Sequence, residues 1–285
     1  MTDQLMPFDK FSPQDVQDLL PAMKVGIMGT VTSEGLPHLT LITTMMASDD
    51  KTVVWGQFME GLSKENVKRN PKTGFMIMSL AKDFWRGKAN YTHAIKSGKD
   101  YDFYNNTPLF RYNAYFGVHT AHYMDLVAQT GKYPLPMGKI ITAAIKTMAV
   151  KAFLPRQAQA QVLNGWSKAF YDKIDNLKFL GYVGADGYPV IIPLIQAQSL
   201  DAEHLLFSFG AFGDELARIP AYTPVAIFGM ALSMEDVLVR GTYQGAKRLL
   251  GLKYGVVQLE YAYNPMPPVP QQIYPEVALE TVREF

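Results

Sequence analysis

The segment Gly61-Leu62-Ser63-Lys64-Glu65-Asn66-Val67-Lys68-Arg69-Asn70-Pro71 sets a hydroxyl and two ammonium groups around what reads as a short helix, ended by Pro71. Backbone N–H groups at a helix start, with hydroxyl and cationic side chains beside them, form the donor set that a phosphate group needs. Ser63, Lys64 and Lys68 are therefore candidates for holding an anion, although lysines on a helix also suit a solvated face. On an earlier strand, His38, Thr40 and Thr44 are expected to point to one side. Threonine is equally an ordinary strand residue. His119 and His122, in a stretch that reads as helical, stand at i and i+3, a spacing able to hold a metal. No third ligand stands near them, so no metal is expected. No grouping of acid, base and nucleophile stands out elsewhere.

The elements that would position these groups read as a pattern stated twice. Gly29-Thr30-Val31, then Glu34-Gly35-Leu36-Pro37 and an apolar run, are echoed by Gly181-Tyr182-Val183, then Asp186-Gly187-Tyr188-Pro189 and another apolar run, 152 residues later. Trp55-Gly56 reads against Phe209-Gly210, and Arg86-Gly87 against Arg240-Gly241, both at 154. A later turn two residues longer, Ser199 to Glu203 against Ser48 to Lys51, would explain the change. The recurrence of an arginine on both sides points to a fold role for Arg86 and Arg240. Repetition on this scale makes the fold a question about one half.

In the first half, Ser12-Pro13 predicts an N-cap and a short helix. Strands are predicted between Lys24 and Met46 (two, around the Gly35 turn), at 52–57, 73–80 and 84–95, with a helix at 61–70. The second half repeats this order, with strands at 177–184, 188–198, 204–209, 222–231, 237–243 and 254–261 and a helical turn at 214–219. Six short strands around a small helix close more readily into a barrel than they remain an open sheet, because closure removes exposed edges. Between the halves the period turns helical. The domains predicted are a first repeat at 1–107, a helical insert at 108–175, a second repeat at 176–263, and an extended proline-rich tail at 264–285. Within the insert, the apolar run Ile140 to Leu154 with Lys139, Lys146, Lys151 and Arg156 could lie on a membrane surface, but such helices more often pack on their own protein. Tyr101, Tyr104, Phe110, Tyr112, Tyr115 and Phe116 either roof a pocket or glue the insert to the barrel.

Bulk composition narrows the class. An apolar share of 48% with 19% charged residues over 285 residues suits globular domains with real cores. A net charge of +1 gives no reason to expect nucleic acid. The absence of cysteine excludes disulfides and thiolate chemistry and suits a reducing cytoplasm. The N-terminus lacks the basic start and apolar stretch of a signal peptide, and no apolar run reaches the roughly 20 residues of a spanning helix. A soluble, cytoplasmic protein is expected.

The order β-β-β-α-β-β with Gly-x-Pro in the first hairpin resembles the FMN-binding split barrel of the pyridoxamine 5'-phosphate oxidase-like family. The likeness rests on Gly29-Thr30-Val31, Glu34-Gly35-Leu36-Pro37, the Leu36-Pro37-His38-Leu39 hairpin, Lys64 to Pro71, and Arg86-Gly87. It covers both β units and not the helical middle. The family's barrels pair as homodimers with FMN in the grooves between them. The resemblance therefore implies two tandem antiparallel split barrels forming an intrachain pseudo-dimer, mainly β with a helical insert. It implies FMN as cofactor, held by Thr40, Thr44, Gln57, Ser63, Lys64 and Lys68, with Gln57 near where the family places flavin contacts. An oxidoreductase acting on a small molecule follows, and the missing acid–base constellation is expected when the flavin does the chemistry. A monomer is possible, since the pair would be built within one chain.

Two departures qualify the likeness. The adjacent Arg-Lys pair that serves the phosphate in the oxidases is replaced by Leu62-Ser63, and the substrate residues of pyridoxamine phosphate oxidation are not recognisable. At an offset of 154, Ser63 faces Ala217, Lys64 faces Arg218, Asn66 faces Pro220 and Lys68 faces Tyr222. At 152, His38, Thr40 and Thr44 face Val190, Ile192 and Gln196. Polarity is kept in the first copy, which predicts one competent site there. The alternatives are a non-enzymatic heme or flavin carrier, for which His38, His119 or His122 would become important, and a cofactor-free scaffold on the same fold.

Overall fold

Each half opens on the hairpin that its acidic-Gly-x-Pro turn predicts. Gly35 sits at φ 79° and Gly187 at φ 81°, conformations that glycine enters without strain. The N–H of Thr32 donates to the Leu36 carbonyl at 2.9 Å, and that of Gly184 to the Tyr188 carbonyl at 2.8 Å. These details come from a computed structural model that describes residues 6–20, 23–58, 60–108, 117–265 and 270–278.

The first half contains α1 (Pro13–Asp18), β1 (Lys24–Val31), β2 (Pro37–Leu41), β3 (Met46–Ala47), β4 (Thr52–Gln57), α2 (Leu62–Arg69), β5 (Lys72–Ser79), β6 (Asp83–Ile95), α3 (Lys99–Asn106), β7 (Thr120–Gln129) and β8 (Tyr133–Pro134). Its antiparallel sheet runs β2-β1-β5-β6-β7-β4-β3, with β8 on β6. After α4 (Met137–Phe153) and α5 (Gly165–Asp172) come β9 (Leu177–Val183), β10 (Pro189–Pro193), β11 (Gln198–Ser199), β12 (His204–Ser208), α6 (Gly213–Leu216), β13 (Pro224–Met230), β14 (Asp236–Leu249), β15 (Leu252–Asn264) and β16 (Gln271–Tyr274). The second sheet runs β10-β9-β13-β14-β15-β12-β11, with β16 on β15.

The strand order forces closure. β2 and β3 lie at opposite ends of the hydrogen-bonded path, yet only residues 42–45 join them. From Leu41 to Met46 the chain reaches at most about 18 Å. Seven strands laid flat at about 4.8 Å would span about 29 Å. The sheet must therefore curl until its two edges approach, giving a barrel with one seam left unpaired. Residues 194–197 impose the same on the second sheet. The chain is thus mainly β, built as two split barrels of identical strand order.

The hydrogen bonds correct the alignment of the halves. Ser48 N–H to Thr52 O and Leu200 N–H to His204 O close turns of equal length, and Tyr91 N–H to Pro71 O is matched by Tyr243 N–H to Thr223 O. The positive φ of Lys82 is matched at Met234. All of these lie 152 apart, so the shift to 154 does not occur. Trp55 corresponds to Phe207, and Arg240 corresponds to Lys88, not Arg86. A slip of two leaves every strand residue on its own face, so alternation could not expose the error.

The helical reading of 108–175 fails at Thr120–Gln129, which is β7. In the second sheet β14 reaches β15 through Leu250 and Gly251 alone, whereas residues 96–119 separate β6 from β7. That longer excursion hides β7 from the sequence reading. Of the aromatic stretch, Phe110, Tyr112, Tyr115 and Phe116 lie outside the described residues, while Tyr104 is buried with its hydroxyl donating to the Thr44 carbonyl at 2.8 Å. In the tail, Gln271–Tyr274 forms a strand; residues 266–269 of the proline run lie outside the described residues.

Two compact units result: Met1–Leu135 with Val183–Ile191, and Pro136–Tyr182 with Ile192–Phe285. In the first, Trp85 is buried and its indole N–H donates to Asp15 at 2.8 Å. Asp15 also completes a capping box with Ser12, worth about 1 kcal/mol. Segment 183–191 is fastened within this unit by Lys88 to the Asp186 carboxylate at 3.0 Å, Lys72 to the Asp186 carbonyl at 2.6 Å, and Arg86 to the Ile191 carbonyl at 3.1 Å. Gly74 permits the approach, since a Cβ there would stand 2.1 Å from the Pro189 carbonyl oxygen.

Candidate functional site

The candidate residues meet where α2 begins. Gly61 caps the helix with extended backbone, and a Cβ at that position would have no neighbour within 4 Å. One turn in, Asn66 donates to the Thr30 hydroxyl at 3.0 Å, which pins α2 against β1. Ser63, held in the first turn, bonds the Thr40 hydroxyl of β2 at 2.5 Å, and Thr40 bonds His38 Nε2 at 3.0 Å. Ser63 and His38 are buried and Thr40 half-buried, so a chain of polar groups runs from the strand to the helix start.

Lys64 Nζ stands 2.5 Å from the Glu60 carboxylate, and Gln57 donates to the same oxygen at 3.1 Å. The Lys64 hydrogen bond, acting against the cost of desolvation and assisted by Gln57 and the charge of Lys68, holds the Glu60 carboxyl below its usual range. Gln57 is aimed by a residue the sequence reading placed elsewhere: His122 of β7 donates from Nε2 to Gln57 Oε1 at 2.9 Å. His122 Nδ1 lies 3.3 Å from the Tyr91 hydroxyl, and its ring stacks on Trp55 at 3.9 Å between centroids. Burial, reinforced by the charges of Lys64 and Lys68, pushes the His122 pKa down to about 4. The imidazole is neutral at pH 7, which suits one nitrogen donating and the other accepting.

Thr40, Gln57, Ser63 and Lys64 are therefore brought together, with the exposed Lys68 one turn further along α2. Thr44 does not join them. Its hydroxyl donates to the Gly56 carbonyl at 2.8 Å and accepts from the Gly56 N–H at 3.1 Å. Gln196, at the matching place in the second sheet, donates to the Ser208 carbonyl at 3.1 Å, so this position fastens the fourth strand in both barrels. His119 and His122 do not converge either. They lie on extended backbone, where a separation of three turns side chains to opposite faces. His119 pairs instead with Lys96 and Thr120, at 3.0 and 2.7 Å. Glu60 and Tyr91 carried no motif signal, and Thr30 and Asn66 lay within the motifs with no role assigned to either. Only the strand assignment of β7 could have revealed His122.

At the corrected offset the second sheet offers none of this set. Val190, Ile192 and Phe209 stand where the first has His38, Thr40 and Gln57, and the four-residue helix Gly213–Leu216, capped by Phe212, replaces the eight-residue α2 that carries Ser63 and Lys64. The earlier pairing of Lys64 with Arg218 falls away, since Arg218 lies beyond the end of the short second helix.

No family model matches the chain, and no curated protein does. Solved structures similar to part of it include an FMN-binding protein from Syntrophomonas wolfei subsp. wolfei, at 16% identity over 43% of this chain and 86% of that one, TM-score 0.36. A putative pyridoxamine 5'-phosphate oxidase from Lactobacillus delbrueckii matches at 15% identity over 43% and 94%, TM-score 0.33. HupZ of Group A Streptococcus matches at 16% identity over 42% and 92%, TM-score 0.34. Each spans less than half of this chain and most of its own length.

Proposed function

We propose that the first barrel binds a flavin nucleotide, FMN being the expected form, and that the protein is an oxidoreductase for a small organic molecule in the cytoplasm. The observation that supports this is the polar chain from the His38 imidazole through the Thr40 and Ser63 hydroxyls, seated at a glycine-opened helix start beside Lys64. The donor chemistry fits a phosphate monoester: hydroxyls of Ser63 and Thr40, ammonium groups of Lys64 and Lys68, and N–H groups of the first helical turn. Glu60 is the mismatch. It neutralises Lys64 and would be turned away when a dianion arrives. Gln57, held by His122 through its oxygen, keeps its N–H₂ directed to the same place. Bound flavin would supply hydride or electron transfer, while these residues orient it. Heme is less well served, because both ring nitrogens of His119 and His122 are within hydrogen-bonding distance of other groups and His38 Nε2 bonds Thr40.

The test is the absorption spectrum of purified protein followed by fluorescence titration with FMN. Saturable quenching at one FMN per chain is expected. Ser63→Ala with Lys64→Ala removes a hydroxyl and a charged donor, and at about 1.5–3 kcal/mol for a charged hydrogen bond the affinity should fall at least tenfold. Arg218→Ala should leave it unchanged. Two FMN per chain, or loss through Arg218→Ala alone, refutes the one-site reading. A heme band near 410 nm or no binding at all refutes the flavin.

A further inference from the structure

Helix α4 carries two apolar faces, and only one of them is used by the fold. Ile140, Ala143, Ala144, Thr147 and Val150 are buried. Thr147 Oγ1 accepts from the Ser208 N–H at 2.9 Å and the Ala143 carbonyl accepts from the Ser208 hydroxyl at 2.6 Å, which seats this face on β12. The opposite face is open: Ile141, Ile145, Met148 and Phe153 are 53%, 61%, 47% and 67% exposed. At about 100° per residue, Ile141, Met148, Ala149 and Ala152 fall within about 60° of Ile145. Lys139 and Lys146 flank the face on one side and Lys151 on the other.

The surrounding charge is one-sided. Between Leu135 and Asp172 there are 36 residues with five Lys or Arg and no acid, in a chain whose net charge is only +1. The acids packed nearby are already engaged. Asp172 pairs with Lys151 at 2.8 Å, and Asp201 and Glu203 accept from the backbone N–H groups of Gln157, Gln159 and Ala160. Lys139 and Lys146 remain as the cations beside the apolar face.

We propose that this face of α4 docks on an anionic lipid surface, lying in the headgroup plane with its apolar side chains buried and its lysines reaching lipid phosphates. No helix among the described residues is long and apolar enough to cross a membrane, so the contact is peripheral. A second copy of the chain fits the face less well. Isologous pairing would bring each flank of lysines against its own counterpart, with no acid across the contact. Anionic lipid supplies that missing charge.

The test is flotation of the full chain with vesicles of phosphatidylcholine, with and without phosphatidylglycerol. Binding is expected only with phosphatidylglycerol, weakening as salt is added. Ile145→Glu should abolish it while circular dichroism and the melting temperature stay unchanged, as expected for an exposed position. Lys139→Gln with Lys146→Gln should weaken it about thirtyfold. Absence of binding to the anionic vesicles, or binding that survives Ile145→Glu, overturns the proposal. So does a dimer that Ile145→Glu converts to monomer with no vesicle binding, which would assign the face to a second copy.

Discussion

Asp236 opens β14 with its side chain 6% exposed and its Oδ1 without a hydrogen-bond partner among the described residues. Burial pushes its pKa up to about 7, from 3.8. The folded chain therefore holds a proton through a pH range in which the unfolded chain has released it. Stability falls as pH rises from about 4 to about 7 and then levels off, because above 7 both states are ionised. At 1.36 kcal/mol per unit, the loss over this range is at most about 4 kcal/mol, of which about 2.7 falls between pH 5 and pH 7. Asp236→Asn keeps the shape and abolishes the titration. The variant should gain on the parent by about 2–3 kcal/mol between pH 5 and pH 7 in denaturant midpoints converted with a common slope. Parallel stability curves for parent and variant across that range would refute the assignment of a buried, uncompensated carboxyl at this site.

Glu60→Gln should tighten FMN binding, the opposite sign to Lys64→Ala, because it frees Lys64 and removes a charge that repels phosphate. An exposed pair is worth about 0.2–1 kcal/mol, so a gain of up to about fivefold at low salt is expected in the fluorescence titration, and weaker binding would contradict the placement of phosphate. His122, with its pKa pushed down to about 4, contributes stability that is present above pH 6.5 and lost as pH falls toward 4. On an Asp236→Asn background, His122→Phe should flatten that fall of about 3 kcal/mol, measured by denaturant unfolding from pH 7 to 4.5.

The turn chemistry was legible: Gly35 and Gly187, the Ser12-Pro13 cap, and the break at Pro71 all mark element ends by local sterics. The element order β-β-β-α-β-β followed from short hairpins, whereas the order of strands within each sheet was not predicted. What escaped was set by distant partners. His122 belongs to the site only because β7 pairs with β4, and residues 96–119 disguise that strand. Thr44 shares a face with His38 and Thr40 by alternation, but the turn at 42–45 redirects it to Gly56. The offset of 154 arose because Trp-Gly and Arg-Gly are dipeptides too short to define register. With the offset corrected, the contrast between the two barrels at the site becomes sharper, since Gln57 now faces Phe209 and a four-residue helix replaces α2.

Residues 183–191 belong to the first unit although 136–182, which precede them, belong to the second. During synthesis the first unit, though not the first sheet, consequently waits for its last piece. After Leu135 has been made, 56 further residues, Ile191 the last of them, must be added, about 3–11 s at about 5–20 residues per second. Until Pro189 is made, the surface around Gly74 that receives it stands open, and a fragment ending before Pro189 keeps it open. The chain therefore behaves in the cell as one folding obligation, and no single cut between its units yields two finished halves.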